Sequence, residues 1–479
     1  MMKPVSGGQY KPLSGKDVKR IHEAALELLV DVGIKAGGEG MLKLFRYAGA
    51  KVDSEHNIVK IPYRTVQECL YSVPKEVVLY GREDKHNLYL SGKNVYMGSG
   101  GTAINVIDLD SNRRRKALLK DVRNLAKLID NLDNIHFNLI PVYPNNIKAE
   151  EVDINRFYAS ILNTTKHIMG GIYTIEGLKK TIKMAELIAG SKEELRKRPF
   201  VSFIVCVMSP LVVDKFYGDV LIEIAKQKLP VAVPAEPLTG LTSPITLAGN
   251  LTGLHAETLA KIIIAQLVHP GTPTIYACTA STADPWSMRY LSGSVEMGLI
   301  NAGAAQLAQY LDIPNYTTAG MTDSKAVDAQ NGYEKALSSL LVALSGSNFI
   351  HDTAGLIEFA MTVSYKQYVI DNEINGMVLR AVKGIDVNAE TIALDVFKKV
   401  GPGGNFINQK HTKKYLRKEH YIPHLSDRKP ISEWEKDGSR DIEHRAIQSA
   451  KKILKEHEPL SIPSYLKNKI REKFPEVWD

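Results

Sequence analysis

The chain has 479 residues and a net charge of +8, with 44% hydrophobic and 24% charged residues. This composition is typical of a globular protein with a large core. No run approaches the roughly 18 uninterrupted apolar residues of a membrane span, and residues 1–16 lack the apolar segment of a signal peptide. The three cysteines lie far apart, without metal-ligand spacing (Cys69, Cys206 and Cys278). We therefore expect a cytoplasmic protein with no metal site and no membrane partner.

The basic residues are dispersed, with short runs at residues 113–116, 192–198 and 410–418. They are interpreted either as solvated faces and loops or as a surface that steers an acidic partner protein. The sequence contains no basic motif interleaved with aromatic residues, so we do not expect a nucleic-acid partner.

The first 92 residues predict an α+β N-terminal cap. Ser14 and Asp17 form a plausible N-terminal cap for a helix whose apolar residues share one face. Further helices are predicted near residues 40–47 and 63–72, with short strands between them. Residues 84–105 predict β-hairpins, because glycines punctuate this stretch.

Residues 93–383 alternate regularly between apolar strand-like runs and stretches with helical spacing. Eight strands are predicted at Asn94–Met97, Ile135–Val142, His167–Tyr173, Val201–Met208, Val231–Ala235, Thr274–Thr279, Asn315–Gly320 and Asn348–His351. This alternation predicts an α/β protein with a parallel (β/α)8 TIM barrel, and a doubly wound open sheet is the alternative. The barrel places function at the carboxyl ends of the strands.

Residues 384–479 predict a helical C-terminal extension, with helices at 388–400, 439–457 and 464–474. This extension either packs under the barrel or mediates contacts between the subunits of a homo-oligomer.

The predicted strand ends carry aromatic, histidine, glutamate and small residues, and few of the Lys or Arg side chains that a phosphate site would need. A pocket of this composition suits an organic cation. Glu236 is a candidate site residue, because an unpaired carboxylate is costly to bury at a strand end. His351 is either a ligand contact, a base or a core histidine. The Gly98–Gly101 segment forms either an anion-binding nest or a tight turn.

Several segments occur in an order that resembles the trimethylamine methyltransferase family, and specifically its members that lack pyrrolysine and act on quaternary amines. The resemblance extends from about Ile21 to the C-terminal helices. Its most specific stretches are Leu132–Ile135, Asn163–His167, Ser243–Gly249, Ala319–Lys325 with Asp328, Gln330, Gly332 and Glu334, Val369–Ile374, and Lys399–Gly401.

The resemblance places Met321 where the archaeal trimethylamine enzymes carry pyrrolysine. A thioether cannot form the adduct by which pyrrolysine is thought to present a tertiary amine. The implied substrate is therefore a quaternary amine, with glycine betaine first and proline betaine or carnitine behind it. The implied methyl acceptor is the cobalt(I) of a cobalamin carried by a separate, cognate corrinoid protein, so no tightly bound cofactor is expected.

The resemblance also assigns Tyr96, at the first strand end, to an aromatic cage around the substrate. Tyr276, Phe203 and Phe349 are further cage candidates, and each belongs to the core instead if its ring points into the barrel layers. His351 and Glu236 are assigned to substrate orientation and charge balance. Arg289 is assigned to a substrate carboxylate, although it is alternatively a solvated loop residue.

Two other functions remain open. A barrel lyase or aldolase would use Glu236 or a Schiff-base lysine, but the predicted strand ends contain no such lysine. A binding module for quaternary amines without turnover would need neither a basic rim nor a wide pocket mouth.

Overall fold

The computed structural model describes residues 4–478. Its N-terminal part comprises β1 (Val5–Ser6), α1 (Gly15–Glu27), β2 (Ile34–Ala36), α2 (Glu39–Tyr47), β3 (Lys51–Asp53), β4 (Ile58–Lys60), α3 (Tyr63–Ser72), β5 (Val77–Leu79) and β6 (Leu88–Leu90). The Ser14 side chain accepts from the Asp17 backbone N–H, and the Asp17 carboxylate accepts from Ser14. This capping box begins α1 where the sequence predicted it.

Strands β5 and β6 form an antiparallel hairpin. Their alternate side chains Val77, Leu79, Leu88 and Leu90 are buried in one cluster with the inner residues of the central sheet. The prediction of successive hairpins over residues 84–105 is corrected here. Only β6 pairs as a hairpin strand with β5, and the next strand joins the central sheet.

The chain continues through alternating strands and helices: β7 (Asn94–Ser99), β8 (Asn105–Ile107), β9 (Arg114–Lys116), α4 (Leu119–Asn131), β10 (Asn138–Leu139), α5 (Val152–Asn163), β11 (Ile168–Gly171), α6 (Ile175–Ala189), α7 (Lys192–Lys197), β12 (Val201–Ile204), β13 (Val212–Val213), α8 (Lys215–Gln227), β14 (Val231–Ala235), β15 (Leu238–Thr239), α9 (Leu247–Val268), β16 (Thr274–Cys278), β17 (Ser281–Ala283), β18 (Tyr290–Leu291), α10 (Val295–Tyr310), β19 (Asn315–Thr318), α11 (Ala329–Ser345), β20 (Phe349–Ala354), β21 (Leu356–Ile357), β22 (Thr362–Ser364) and α12 (Tyr365–Lys383).

Eight of these strands form the central parallel sheet, in the order β7-β20-β19-β16-β14-β12-β11-β10, and β1 pairs antiparallel with β7. Each of the eight predicted strands overlaps one of them. The segment that leads into β10 also bonds to β7. There His136 N–H donates to the Met97 carbonyl at 2.7 Å, and Ser99 N–H donates to the Phe137 carbonyl at 3.4 Å. The α/β class is confirmed.

The strands are buried on both faces, as parallel strands covered by helices are. In β16, Ile275 and Ala277 join the inner cluster, whereas Tyr276 and Cys278 face the helices. Helix α9 is long and apolar enough to cross a membrane, but 78% of its most apolar window is buried inside the protein. Its position beside α1, α3 and the sheet accounts for this composition.

The C-terminal part contains α13 (Ala389–Ile392), α14 (Leu394–Val400), α15 (Lys410–Tyr415), α16 (Ile431–Lys436), α17 (Ile442–Glu456) and α18 (Ser464–Lys473). The helix predicted over residues 388–400 is interrupted at Ala393, whose φ of 59° is left-handed. Glu373 of α12 accepts backbone hydrogen bonds from His424, Leu425 and Ser426. These bonds hold residues 424–426 against α12. The helix that follows, α17, packs on α12 and α4.

Candidate active site

Four polar side chains lie at the carboxyl ends of parallel strands and form what we call the carboxylate site: Cys206, Glu236, His351 and Asp352. Glu236 directly follows β14, Cys206 lies two residues beyond β12, and the other two belong to β20. The Cys206 Sγ lies 3.7 Å from Glu236 Oε2, and the charge of Asp352 acts on Glu236. The fold thus gathers side chains that are distant in sequence, as parallel α/β folds do at this edge.

Glu236 has an unusual environment. Burial raises its pKa to about 7; the Cys206 thiol, which donates to Oε2, opposes the shift, and the Asp352 charge adds to it. The Glu236 side chain is nevertheless exposed, whereas Ala235 and Pro237 on either side are buried. Because its side chain remains exposed, Glu236 is available to a ligand that reaches the carboxyl edge of the sheet.

Asp352 is held close to both His351 and the backbone of β7. Its Oδ1 lies 3.0 Å from His351 Nδ1, without hydrogen-bond alignment, and His351 Nε2 shares a hydrogen bond with the Thr318 hydroxyl. A Cβ atom on Gly100 would lie 1.8 Å from Asp352 Oδ1. Gly100 therefore makes room for this carboxylate.

A ladder of aromatic rings packs below His351. The Phe137 and Phe349 ring centroids are 3.5 Å apart, those of Phe349 and Tyr316 are 5.4 Å apart, and those of Tyr316 and His351 are 4.2 Å apart. Burial raises the pKa of Tyr316 well above its ordinary value, and the charge of Asp352 adds to the shift. Tyr316 therefore stays neutral beside the carboxylates. Sequence reasoning missed it, although its strand was predicted.

Comparison with known proteins identifies the family. A sequence model of the trimethylamine methyltransferase family, MTTB, matches residues 3–474. The chain belongs to this family. It is 35% identical to trimethylamine methyltransferase MttB of Desulfitobacterium hafniense strain DSM 10664 / DCB-2, over 99% of this chain and 95% of that protein. It is 33% identical to the glycine betaine methyltransferase of strain Y51, over 97% and 96%.

The solved structures show the same fold class. The crystal structure of the hydroxylamine complex of MtmB matches with a TM-score of 0.50 and 15% identity, over 94% of this chain and 95% of that one. Membership of the MTTB family confirms the predicted family and the prediction that the chain is a methyltransferase.

Three residues assigned from sequence lie outside the carboxylate site of this MTTB chain. Phe203 packs against Phe157 of α5 with 5.6 Å between ring centroids, and the Tyr276 hydroxyl bonds Nδ1 of His255 on α9. Both rings face the helices, because their strand neighbours fill the inner cluster. Arg289 is exposed in the loop between β17 and β18.

Two other assigned aromatic residues lie inside the central sheet. Phe349 belongs to the ladder under His351, whereas Tyr96 lies beside Phe349 in register and its hydroxyl accepts the backbone N–H of Tyr89 on β6. The Tyr96 hydroxyl is therefore engaged by the hairpin that packs against the inner cluster. Tyr96 is thus a neighbour of Phe349 but is held by the hairpin, whereas Phe349 continues through Tyr316 to His351.

Sequence reasoning missed three tyrosines near this edge: Tyr143 and Tyr173 follow β10 and β11, and Tyr217 lies in the first turn of α8. The Tyr143 and Tyr173 rings meet edge to face at 5.2 Å, and the Arg156 guanidinium lies 5.2 Å from the Tyr173 centroid. Burial raises the pKa of Tyr217, with smaller contributions from Cys206, Asp214, Tyr173 and Glu236. Tyr217 thus connects this aromatic rim to the carboxylate site. The signal available in the sequence was the position of Tyr143 just beyond one predicted strand and of Tyr173 at the end of another, whereas Tyr217, in α8, carried no such signal.

Met321 lies in the loop after β19 and is 3% exposed. Side chains of α11 hold this loop. Lys335 donates to the Gly320 carbonyl, and the Glu334 carboxylate accepts from the Thr322 hydroxyl and the Asp323 N–H. The loop that carries Met321 is therefore held in place by α11 at the carboxyl edge of the sheet.

Proposed function

We propose that this enzyme transfers a methyl group from a quaternary amine to the cobalt(I) of a separate corrinoid protein and releases a tertiary amine. Glycine betaine is the first candidate, with proline betaine and carnitine behind it. One observation carries the proposal. The charge of Asp352 acts on Glu236, and within residues 4–478 neither carboxylate forms an ion pair with Lys or Arg. A substrate cation would supply the missing positive charge.

The aromatic residues fit the same ligand. An aromatic face contributes roughly 0.5–2 kcal/mol to the binding of a cation, and Tyr173 and Tyr217 lie at the rim of the carboxylate site. The MTTB relatives include a named glycine betaine methyltransferase at 33% identity, which also favours this substrate class.

The transfer step needs no proton. The cobalt(I) electron pair forms a bond to one N-methyl carbon while the C–N bond breaks, and the C–N electron pair stays on nitrogen as a neutral tertiary amine. The protein's task is to hold the cation with one methyl group aimed at the opening. Such positioning supplies roughly 7–11 kcal/mol of a barrier in favourable cases.

Met321 accounts for the choice of a quaternary over a tertiary amine. If it occupies the position of pyrrolysine, its thioether offers no electrophile with which to activate a tertiary amine. A quaternary amine is already activated, because its leaving group is neutral. The braced loop around Met321 then serves as a wall for the substrate.

For the fold we propose the (β/α)8 barrel, with an N-terminal cap over residues 1–92, the barrel over 93–383 and the extension over 384–479. The bonds from His136 to Met97 and from Ser99 to Phe137, which join the two outer parallel strands, favour closure. The sequential order of the parallel strands also favours it over the alternative of a doubly wound sheet, where the order reverses. We also propose a cytoplasmic location, which suits a methyl transfer between two soluble proteins.

One assay tests the function. Purified protein, reduced cob(I)alamin and a panel of methylated amines are followed by the absorbance of methylcob(III)alamin. We expect methylation with at least one betaine and none with trimethylamine. Methylation with trimethylamine alone would contradict the proposal, and binding of a betaine without methylation would favour the binding module. Cleavage of a carbon–carbon bond would favour the lyase.

For the substrate carboxylate we propose Arg156 in preference to the exposed Arg289. Arg156 Nη2 donates to the Thr102 hydroxyl at 2.9 Å and to the Ile140 carbonyl at 3.3 Å. Its Nε and Nη1 are buried and have no hydrogen-bond partner within the described chain. Buried donors without partners are costly, and a carboxylate would satisfy one of them in a charge-assisted hydrogen bond. The Tyr173 ring, which covers the guanidinium and is 41% exposed, would turn aside.

Arg156→Gln should separate two substrates. Because a hydrogen bond to a charged group contributes roughly 1.5–3 kcal/mol, we expect KM for glycine betaine to rise about 10- to 100-fold. KM for tetramethylammonium, which has no carboxylate, should stay within about twofold of wild type. Arg289→Gln is the matched control and should change neither. An equal loss with both substrates would assign Arg156 to structure alone.

A further inference from the structure

A buried ion pair joins two helices beside the candidate active site. Lys335 of α11 and Asp371 of α12 approach to 3.1 Å between Nζ and Oδ2, and their side chains are 1% and 0% exposed. Burying two charges is costly, and apolar residues of similar volume often replace such a pair without loss of stability. A contribution to stability alone therefore does not explain why this pair is buried here.

Each ion of the pair also bonds the backbone of a turn at the carboxyl edge of the central sheet. The Lys335 ammonium donates to the Gly320 carbonyl, and the Asp371 carboxylate accepts the Gly355 N–H at 2.7 Å. Both glycines have a left-handed φ, 71° for Gly320 and 93° for Gly355. The pair thus ties together two turns that residues other than glycine rarely form.

The two turns carry side chains of the candidate active site. Met321 directly follows Gly320, and Asp352 lies three residues before Gly355. The two chain segments are in contact, because a Cβ on Gly320 would lie 2.6 Å from the Thr353 Cα. A shift of either turn would therefore change the distance between Met321 and the Asp352 carboxylate.

We propose that Lys335 and Asp371 are positioning residues that fix the spacing between Met321 and Asp352 across the substrate site. The inference rests on the proposed function, in which the substrate cation lies between the carboxylate site and the Met321 loop. Apolar side chains could fill the volume of the pair, but they could not bond the backbone of either turn. A displacement of about 1 Å at a reacting group can lower a rate about 100-fold, so the pair acts on kcat.

The double variant Lys335→Met/Asp371→Leu tests this in the cob(I)alamin assay. It removes both buried charges together, so Tm should stay close to that of wild type. We expect kcat to fall about 10- to 100-fold and KM to change little, because the carboxylates that attract the cation remain. Lys366→Met/Glu443→Leu, which replaces a pair between α12 and α17 that bonds neither turn, is the control and should leave both constants unchanged. A wild-type kcat in the folded Lys335→Met/Asp371→Leu variant would overturn the proposal.

Met321→Ala separates positioning from a general loss of activity. It should lower kcat in the wild-type background and have little further effect in the variant that lacks the pair, because Met321 is already displaced there. Residues that act through one another give non-additive effects, whereas independent sites give additive ones. Additive effects, or no effect of Met321→Ala in the wild-type background, would overturn the proposal.

Ser338→Ala decides the question if the double variant does not fold. The Ser338 hydroxyl on α11 accepts the Gly320 N–H at 3.0 Å, so the substitution removes one hydrogen bond to the same turn. We expect kcat to fall about 2- to 10-fold with little change in KM, and a wild-type kcat would overturn the proposal. All variants are compared on a methylated amine that the wild-type enzyme demethylates. Failure of the quaternary-amine proposal therefore leaves this test intact.

Discussion

Glu236→Gln is expected to reduce kcat/KM for the quaternary amine by about 100-fold. Two unit charges about 4 Å apart interact by roughly 4 kcal/mol at an effective dielectric constant of 20. In Glu236→Gln, the charge of Asp352 still attracts the substrate cation, so only part of this energy is lost. A loss of about 2.7 kcal/mol corresponds to the stated factor. The measurement is the initial rate of cob(I)alamin methylation against substrate concentration. Glu456→Gln, at an exposed carboxylate of α17, is the control.

The same substitution should remove a pH dependence. Burial raises the pKa of Glu236 to about 7, so the carboxylate that attracts the cation forms as the pH rises through this value. KM for the quaternary amine should therefore fall between about pH 6 and 8 in wild type and stay flat in Glu236→Gln. Asp352→Asn should move the wild-type transition to lower pH, because it removes the like charge that raises the Glu236 pKa. A pH-independent KM in wild type would remove Glu236 from the cation site.

Stability should change in the opposite direction from activity. A carboxyl group whose pKa is raised on folding destabilises the folded state once the pH exceeds its unfolded-state value, and the penalty grows until the pH passes the folded-state value. Glu236→Gln should therefore raise Tm at pH 8 and leave it nearly unchanged at pH 4. A lower Tm at pH 8 would indicate that Glu236 is a structural residue.

Gly100→Ala is expected to abolish most of the activity and to destabilise the protein. The added Cβ would lie 1.8 Å from Asp352 Oδ1 and 2.6 Å from the Asp352 Cα. The second contact is with backbone, so rotation of a side chain cannot relieve it. Overpacking of this kind costs roughly 1–3 kcal/mol, and a displacement of about 1 Å at a reacting group can lower the rate about 100-fold.

Gly253→Ala is the matched control. Gly253 lies within α9, and a Cβ there would meet no atom within 4 Å. In a helix interior this exchange stabilises by roughly 0.5–1 kcal/mol, so Tm should rise slightly and kcat/KM should be unchanged. Thermal unfolding and methylation rates of the two variants are compared directly. Wild-type activity in Gly100→Ala would show that the position of Asp352 is unimportant for the reaction.

Sequence periodicity predicted the strands well because their apolar runs are bounded by turns and helices. The run Val231–Ala235 is a strand with the predicted bounds. Its carboxyl end identified Glu236, which the structure places beside Cys206 and within the field of Asp352. His351 was found for the same reason. Both residues were predicted because each lies at the carboxyl end of a strand that the sequence pattern identifies.

The directions of the strand side chains could not be predicted in the same way. A strand that alternates between apolar and polar residues reveals its inner face, but these strands are apolar on both faces. Nothing in the sequence of β16 distinguishes Tyr276, which bonds a helix, from Ala277, which lies in the inner cluster. The cage assignments of Tyr276 and Phe203 depended on that choice, and Tyr316 was missed for the same reason.

The amino-acid sequence by itself determined the α/β alternation, the family and the strand end that bears Glu236, because each depends on residues that are close together in the chain. Only the tertiary structure decided what surrounds that glutamate. Its raised pKa, the room that Gly100 leaves for Asp352 and the rim around Tyr173 depend on contacts between distant segments. Such contacts set burial and electrostatic potential, and neither quantity is a property of a local sequence.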